Sequence, residues 1–219
     1  MTIAERALEF IRDGQVVGLG TGRAATAFIE ALGRRVRDGL RIRGVATSVE
    51  TAALAARLGI PLLDLATTAE IDIAVDGADE VDPRLGLIKG LGGALVREKI
   101  VAAAAKRLVI VVGEEKLVKQ LGERGKLPVE VLPVARAFCV KRIEALGIAA
   151  APRIKEGRLY TSDNGNPVLD CVVGPIADPA ALDRDILAIP GVIDTGLFLD
   201  MAHTVLVQRG DRVEILGRA

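Results

Sequence analysis

Short runs of β-branched and aliphatic residues alternate with longer amphipathic stretches through the first half of the chain, and this rhythm restricts the fold more than any other feature. Residues 16–20 form the first short run, and a stretch with Phe28, Ala31 and Leu32 at helical spacing follows it. Alternating strand and helix patterns are typical of βαβ units, which build a parallel sheet. We therefore predict an α/β fold: a Rossmann-like, open, mostly parallel sheet with helices on both faces.

The same pattern continues downstream and predicts the rest of this sheet. Strands are predicted at 42–46, 62–65, 71–75 and 108–112, and helices at 49–58 and 94–105. Two late runs, 204–208 and 213–216, are predicted to return to the first sheet.

A change of composition to Gly, Lys, Arg and Pro at 122–128 predicts a crossing between domains. The pattern beyond it favours a smaller α+β unit in the ferredoxin-like order β-α-β-β-α-β. We predict a large domain of residues 1–125 and 199–219 and a small domain of residues 126–198. In the small domain, strands are predicted at 129–132, 152–154, 168–173 and 192–198, and helices at 135–146 and 179–188.

The charge balance and aromatic content exclude several classes of partner. Lys plus Arg number 29 and Asp plus Glu number 29, so no excess positive charge favours a phosphate backbone or an anionic membrane. Aromatic residues make up 2% of the chain, with no Trp, which disfavours base stacking. We expect binding to neither nucleic acid nor membranes.

The first twelve residues carry Glu5, Arg6 and Glu9 on a helical pattern and lack the apolar stretch of a signal peptide. The longest apolar runs, such as 108–112, are strand-sized, whereas a membrane helix needs about 20 apolar residues. We therefore expect a cytoplasmic protein.

Cysteine and histidine are too few for a metal-ligand cluster or a disulfide framework. The chain has Cys139, Cys171 and a single His203. We predict free, buried thiols, no bound metal and a structural or surface role for His203, which lies far along the chain from the motifs described next.

The first chemical motif is the glycine-rich turn Gly-Leu-Gly-Thr-Gly-Arg-Ala at 18–24, between a predicted strand and helix. Glycines allow a ligand to approach the backbone, and the start of a helix attracts an anion such as phosphate. Gly20, Gly22 and Ala25 also satisfy G-x-G-x-x-A, but residues 45–48 lack the acidic residue that a dinucleotide site requires. Phosphate binding, dinucleotide binding and a plain turn all remain open at this point.

The second motif is Asp76-Gly77-Ala78-Asp79-Glu80, at the carboxyl end of a predicted buried strand. Ligands bind beyond such strand ends in open α/β sheets. Two acids three residues apart can transfer protons or hold a hard cation, while Asp-Gly also makes an ordinary turn.

The third motif, residues 89–99, places Lys89 before a second glycine loop that leads into a helix containing Glu98. The helix dipole stabilises a carboxylate there, and burial would raise its pKa. The alternative is a solvated surface helix with Glu98 beside Arg97 and Lys99.

Together, two glycine loops, an acid pair, a lysine and a glutamate provide the groups that a site for a small phosphorylated sugar needs. Moving a carbonyl to the adjacent carbon takes a base that carries a proton, a cation that stabilises the enediolate, and an acid that shuttles hydroxyl protons. This chemistry requires neither metal nor cofactor.

The motifs occur in an order that resembles the type A ribose-5-phosphate isomerase family over nearly the whole chain. They are GLGTG, ATS, DIAVDGADE, IKGLGGALVREK, KLPVEVLP, GPIADP and IPGVIDTGLF. The resemblance implies interconversion of ribose 5-phosphate and ribulose 5-phosphate in the pentose phosphate pathway. It also implies a cytoplasmic homo-oligomer, commonly a dimer with a tetramer as the alternative, in which the small domain is involved in oligomer contacts.

The resemblance also implies roles for individual residues. Glu98 corresponds to the proton-transferring base, Asp76 and Asp79 to the groups for ring opening and hydroxyl proton transfer, and Lys89 to the enediolate-stabilising cation. The substrate-binding residues that it implies are Thr21, Gly22, Arg23, Ala24, Gly77, Ala78, Gly90, Leu91, Gly92 and Lys116.

The chain departs from the family's usual sequence at two places. The family usually has Ser-Thr where this chain has Arg23-Ala24, so Arg23 either replaces hydroxyl donors with a charged fork or points to solvent. Around Lys116, Gly-Glu-Glu-Lys at 113–116 replaces the usual Asp-x-Ser-Lys.

Two other functions are alternatives to the isomerase. They are a nicotinamide-dependent oxidoreductase and a non-catalytic domain that senses sugar phosphates.

Overall fold

The computed structural model describes residues 1–217, and these fall into two units. Unit 1 consists of Met1–Ala78, Arg97–Leu117 and the chain from Asp200 onward, and unit 2 of Asp79–Val96 and Val118–Leu199. The predicted segment 199–219 ends in Arg218 and Ala219, which lie outside the described residues.

The helices and strands follow one another in a regular order along the chain. In unit 1 the strands are β1 (Val16–Leu19), β2 (Arg43–Ala46), β3 (Ile73–Asp76), β6 (Leu108–Gly113), β14 (Thr204–Arg209) and β15 (Arg212–Gly217). The helices α1 (Ile3–Leu8), α2 (Arg23–Arg37) and α3 (Val49–Arg57) also belong to unit 1, and α4 (Leu95–Ala104) begins two residues before the chain returns to it. In unit 2 the strands are β4 (Glu80–Val81), β5 (Leu87–Ile88), β7 (Lys126–Val131), β8 (Ala149–Pro152), β9 (Ile154–Lys155), β10 (Arg158–Leu159), β11 (Val168–Val172), β12 (Val192–Thr195) and β13 (Leu197–Phe198), and the helices are α5 (Arg136–Glu144) and α6 (Pro179–Leu187).

Unit 1 is built on a six-stranded sheet in the order β15-β14-β6-β3-β1-β2. All neighbouring strands run parallel except β14 and β15, which form an antiparallel pair. The predicted mostly parallel sheet is therefore confirmed, and so is the predicted return of the last two strands to it.

Helices cover both faces of this sheet. Successive side chains of a strand point to opposite faces, and one face buries Val17, Leu19, Val75 and their neighbours with Phe28 of α2. On the other face a Cβ on Gly18 would lie 2.5 Å from Cγ1 of Val101 in α4. Gly18 therefore lets α4 approach β1 closely.

Unit 2 contains the predicted ferredoxin-like arrangement. The chain runs β7-α5-β8-β11-α6-β12, and these strands form an antiparallel sheet in the order β12-β7-β11-β8. A second, three-stranded antiparallel sheet has the order β13-β5-β4, and β9 and β10 form a hairpin. Aliphatic residues of both larger sheets, including Ile88, Val129 and Leu197, share one buried cluster with α5 and α6.

Three predicted strands differ from the observed ones. The strand predicted at 62–65 is reduced to a single bridge between Gly44 and Leu62, followed by a 3-10 turn at Leu65–Thr67. The strand predicted at 192–198 is split into β12 and β13 at Gly196, where an added Cβ would lie 2.3 Å from the Lys89 carbonyl oxygen. The strand predicted at 152–154 is divided between β8 and β9.

Both cysteines are free and buried, which confirms the prediction. Burial raises the pKa of the Cys171 thiol to about 12, because the interior disfavours a thiolate. Within residues 1–217, no helix combines the length and apolar character needed to span a bilayer.

Candidate active site

The strand order of unit 1 creates a switch point between β1 and β3. From β1 the chain goes outward to β2, and β3 then pairs with the opposite side of β1. Loops that leave such neighbours diverge, and the crevice beyond their carboxyl ends is where open α/β sheets bind ligands. The first glycine motif follows β1, and Asp76 ends β3, so both lie at this switch point.

Gly20 and Asp76 approach each other so closely that no side chain fits between them. A Cβ on Gly20 would lie 2.2 Å from Oδ1 of Asp76 and 2.6 Å from its Cα. The Gly20 amide donates to the Val75 carbonyl at 3.0 Å. Oδ1 of Asp76 accepts from the amides of Thr21 at 3.2 Å and Gly77 at 2.7 Å. Unit 1 thus brings together four residues of two predicted motifs, Gly20 and Thr21 of the first and Asp76 and Gly77 of the second.

Helix α2 begins directly after this turn. Its N-cap is Gly22, with φ of 98° and no side chain to satisfy the first amides. Those amides and the helix dipole favour an anion at this position. Arg23, the first helical residue, is exposed, and Ala24 is half-buried.

A cluster of hydroxyl groups holds Thr21 from the side of β2. Its Oγ1 lies 2.8 Å from Oγ1 of Thr47, 2.9 Å from Oγ of Ser48 and 3.2 Å from Oγ1 of Thr51. Oγ1 of Thr51 in turn donates to the Gly20 carbonyl at 2.9 Å. The sequence motifs indicate no role for these partners, although Thr47 and Ser48 follow a predicted strand at the same edge of the sheet.

Glu98 and Lys116, two further predicted site residues, lie in unit 1 on α4 and in the turn after β6. Glu98 lies in the first turn of α4 and is 5% exposed. Lys116 ends the 3-10 turn Glu114–Lys116, which follows β6, and is half-buried. Ala78, the last residue of unit 1 before the chain enters unit 2, is also half-buried.

Unit 2 brings Asp79 together with the second glycine loop. The Asp79 amide donates to the Ile88 carbonyl at 2.8 Å, and Oδ2 of Asp79 accepts from the Leu91 amide at 3.0 Å. Gly90, at φ of 96°, turns the chain out of β5 into this loop, and Leu91 and Gly92 are exposed.

Lys89 is held in the interior of unit 2. It is 3% exposed, its amide donates to the Gly196 carbonyl at 2.9 Å, and its Nζ lies 5.5 Å from the centre of the Phe198 ring. A ring face offers a cation part of the stabilisation that water would give.

Two side chains of unit 2 that belong to none of the three predicted motifs also contact the second glycine loop. Arg153 donates to the Gly90 and Leu91 carbonyls, and the Tyr160 hydroxyl donates to the Gly92 carbonyl. No local motif marks Arg153, but Tyr160 is the only tyrosine of the chain.

His203 lies at the surface of unit 1, in agreement with the predicted structural or surface role. It is exposed, and its Nδ1 accepts from the Leu108 amide at 3.1 Å. Among residues 1–217, no three or more His, Cys, Asp and Glu side chains are grouped in a way that could hold a metal ion.

Comparison with known proteins identifies the family. Residues 43–212 match the family described as Ribose 5-phosphate isomerase A (phosphoriboisomerase A). Ribose-5-phosphate isomerase A of Thermomicrobium roseum is 52% identical over 221 residues, which cover 98% of this chain and 93% of that protein. The chain belongs to the ribose 5-phosphate isomerase A family. The predicted family is therefore confirmed.

Solved structures of this isomerase family share the whole architecture. Ribose 5-phosphate isomerase A from Methanocaldococcus jannaschii is 40% identical with a TM-score of 0.94, covering 99% of this chain and 96% of that one. A D-ribose-5-phosphate isomerase solved with phospho-erythronic acid is 39% identical with a TM-score of 0.94 and the same coverage. These likenesses confirm the predicted fold class.

The contact between Gly20 and Asp76 predicts a strong effect of Gly20→Ala. Because the added methyl group meets the Cα of a buried strand, β1 or β3 has to shift, and we expect a loss of about 1–3 kcal/mol in the free energy of unfolding. Urea denaturation followed by circular dichroism measures this loss. The matched control is Gly174→Ala, since Gly174 has open space at Cβ and no positive φ. Equal stabilities of the two variants would contradict the close approach.

Proposed function

We propose that this protein is a ribose-5-phosphate isomerase, which interconverts D-ribose 5-phosphate and D-ribulose 5-phosphate through an enediolate in the non-oxidative pentose phosphate pathway. Family membership over nearly the whole chain supports this proposal. The structural observation that carries it is the burial of three charged residues, Asp76, Lys89 and Glu98, which are 4%, 3% and 5% exposed. Folds rarely bury charged side chains without a purpose, and functional sites are where they concentrate.

The reaction needs one proton to move between two neighbouring carbons. A base removes the proton from C2 of the open-chain aldose, and its return to C1 gives the ketose. We assign this role to Glu98, whose carboxylate lies in the first turn of α4, where the helix dipole stabilises its charged form. The isomerisation is redox-neutral, so we assign no redox cofactor to it, and because we assign the charge on the enediolate to a lysine we assign no metal to it.

Negative charge develops on the carbonyl oxygen as the enediolate forms. We assign its stabilisation to Lys89, because a buried ammonium acts more strongly than one in water. Asp76 and Asp79 are assigned to ring opening and hydroxyl proton transfer. The amides around Asp76 and Asp79 hold both carboxylates in fixed orientations.

The phosphate group of the substrate is assigned to the turn at the start of α2. This turn offers backbone amides, the hydroxyl group of Thr21 and the guanidinium of Arg23, and the residues that we assign to it are Thr21, Gly22, Arg23 and Ala24. The other substrate contacts that we propose are Gly77, Ala78, Gly90, Leu91, Gly92 and Lys116.

The same family membership leads us to propose a cytoplasmic homodimer, with a tetramer as the alternative and the small domain, residues 126–198, involved in oligomer contacts. Size-exclusion chromatography with light scattering measures the oligomeric state directly.

The direct experiment is to incubate purified protein with ribose 5-phosphate, without added metal or nicotinamide cofactor, and to follow ribulose 5-phosphate by NMR. We expect the same equilibrium mixture of the two sugar phosphates whether the reaction starts from ribose 5-phosphate or from ribulose 5-phosphate. Binding without conversion would favour a domain that only senses sugar phosphates, and conversion that requires NAD or NADP would favour the oxidoreductase.

The role assigned to Glu98 predicts that Glu98→Gln abolishes most turnover while the protein stays folded. General acid-base catalysis contributes ~10²- to 10⁴-fold, so we expect kcat to fall by at least about 10²-fold. The control is Glu50→Gln, since Glu50 also lies in the first turn of a helix but is exposed. The assignment to Glu98 is wrong if the variant keeps more than about a tenth of the wild-type kcat.

The role assigned to Lys89 predicts a loss mainly in kcat, because the charge that it stabilises appears only on the way to the transition state. Lys89→Met keeps the apolar stem and removes the charge, and we expect kcat to fall about 10²- to 10³-fold. Steady-state kinetics measures the effect. The control is Lys119→Met, since Lys119 is an exposed lysine of the same unit. A change confined to KM would instead show that Lys89 binds the ground-state substrate.

A further inference from the structure

Arg153, between β8 and β9, is a largely buried cation of unit 2 whose side chain is 11% exposed. Its Nε and Nη2 bind the Asp170 carboxylate, with Nη2 at 2.6 Å from Oδ1 and Nε at 3.1 Å from the same oxygen. A planar guanidinium held in this way has little rotational freedom left. Asp170 therefore fixes the direction in which the remaining nitrogen, Nη1, points.

The Nη1 atom of Arg153 points at the second glycine loop. It donates to the Gly90 carbonyl at 3.1 Å and to the Leu91 carbonyl at 3.0 Å. The Tyr160 hydroxyl donates to the next carbonyl, that of Gly92, at 3.3 Å. Three successive carbonyls of the loop thus receive side-chain donors.

The loop and Tyr160 fit each other closely. Gly93 has φ of 91°, and a Cβ there would lie 2.0 Å from the Tyr160 hydroxyl oxygen. The Tyr160 ring also lies 5.6 Å from Cζ of Arg153, as a cation–π partner. Burial raises the pKa of Tyr160, because the interior disfavours a phenolate, so its hydroxyl stays a donor at neutral pH.

One peptide unit connects Arg153 to Asp79. The C=O and N–H groups of a trans peptide point in opposite directions. In the unit between Gly90 and Leu91, the carbonyl accepts from Arg153 and the amide donates to Oδ2 of Asp79 at 3.0 Å. A cation on the carbonyl polarises the peptide and strengthens the amide as a donor.

We propose that Arg153 is a positioning residue for the isomerase reaction, which holds the peptide between Gly90 and Leu91 and thereby orients the Asp79 carboxylate. This inference rests on the proposed function, in which Asp79 transfers protons and the loop contacts substrate. Asp170 and Tyr160 keep the guanidinium in place. Arg153 also binds the Leu91 carbonyl, so the Gly92 amide of the same peptide unit points away from the guanidinium.

A double-mutant cycle on kcat tests this proposal with Arg153→Ala, Asp79→Asn and the double variant. Misplacement of a reacting group by about 1 Å can cost ~10²-fold, so we expect Arg153→Ala to lower kcat about 10- to 100-fold with a smaller change in KM. If Arg153 acts through Asp79, its removal has little further effect once Asp79 is replaced, and the double variant stays within about threefold of Asp79→Asn. Losses that multiply overturn the proposal.

Two further variants separate positioning from folding. Arg158→Ala removes an exposed arginine of the neighbouring hairpin, and we expect wild-type kcat from it. Arg153→Lys keeps a cation but cannot bind Asp170 and two carbonyls at once. We expect its kcat to lie between those of the wild type and Arg153→Ala; a kcat as low as that of Arg153→Ala in a folded protein with wild-type Leu91 exchange overturns the proposal.

Amide hydrogen exchange at Leu91, measured by NMR on the full chain, tests the anchoring without any activity assay. We expect exchange at Leu91 to accelerate by about tenfold or more in Arg153→Ala and to stay unchanged in Arg158→Ala. Unchanged exchange in Arg153→Ala overturns the proposal. A wild-type protein that forms no ribulose 5-phosphate overturns the proposed function instead, and accelerated exchange would then still support the anchoring by Arg153.

Discussion

The contact between Gly20 and Asp76 is the constraint on which the rest of unit 1 depends. It exists because the chain passes from β1 to the edge strand β2 and then places β3 on the other side of β1. Only a residue without a side chain fits at Gly20, and the amides of Thr21 and Gly77 then converge on one oxygen of Asp76. The topology of the sheet thus determines where an acid and the glycine-rich turn before α2 meet.

Three of the charged residues to which we assign roles are buried, two in unit 1 and one in unit 2. Asp76, Lys89 and Glu98 are nearly inaccessible to water, and none of the three is without a partner. Removing a charge from water costs free energy unless other groups replace the solvent, and amides, a helix start and a ring face do so in this structure. Groups fixed in this way need little rearrangement when charge develops on a substrate.

Local pattern carried most of the information on the fold, and it failed where strands are short or bend. The parallel strands of unit 1 and the ferredoxin-like order of unit 2 follow from runs of aliphatic residues that local spacing reveals. Strands β4 and β5 have two residues each, too few to show an alternation of buried and exposed side chains. The strand predicted at 192–198 bends at Gly196 because the chain has to leave one sheet for another, and only the neighbouring strands impose that bend.

The sequence by itself determined the family, through motifs that occur in order along nearly the whole chain. It also determined most of the longer helices and strands and the residues of the three motifs, because each of these depends on residues that are close together along the chain. Only the tertiary structure decided the partners of those residues. Thr21 meets Thr47, Ser48 and Thr51, and the loop at Gly90 meets Arg153, across 26 to 63 positions of sequence. Such contacts arise when strands pair and loops pack, and no local periodicity encodes them.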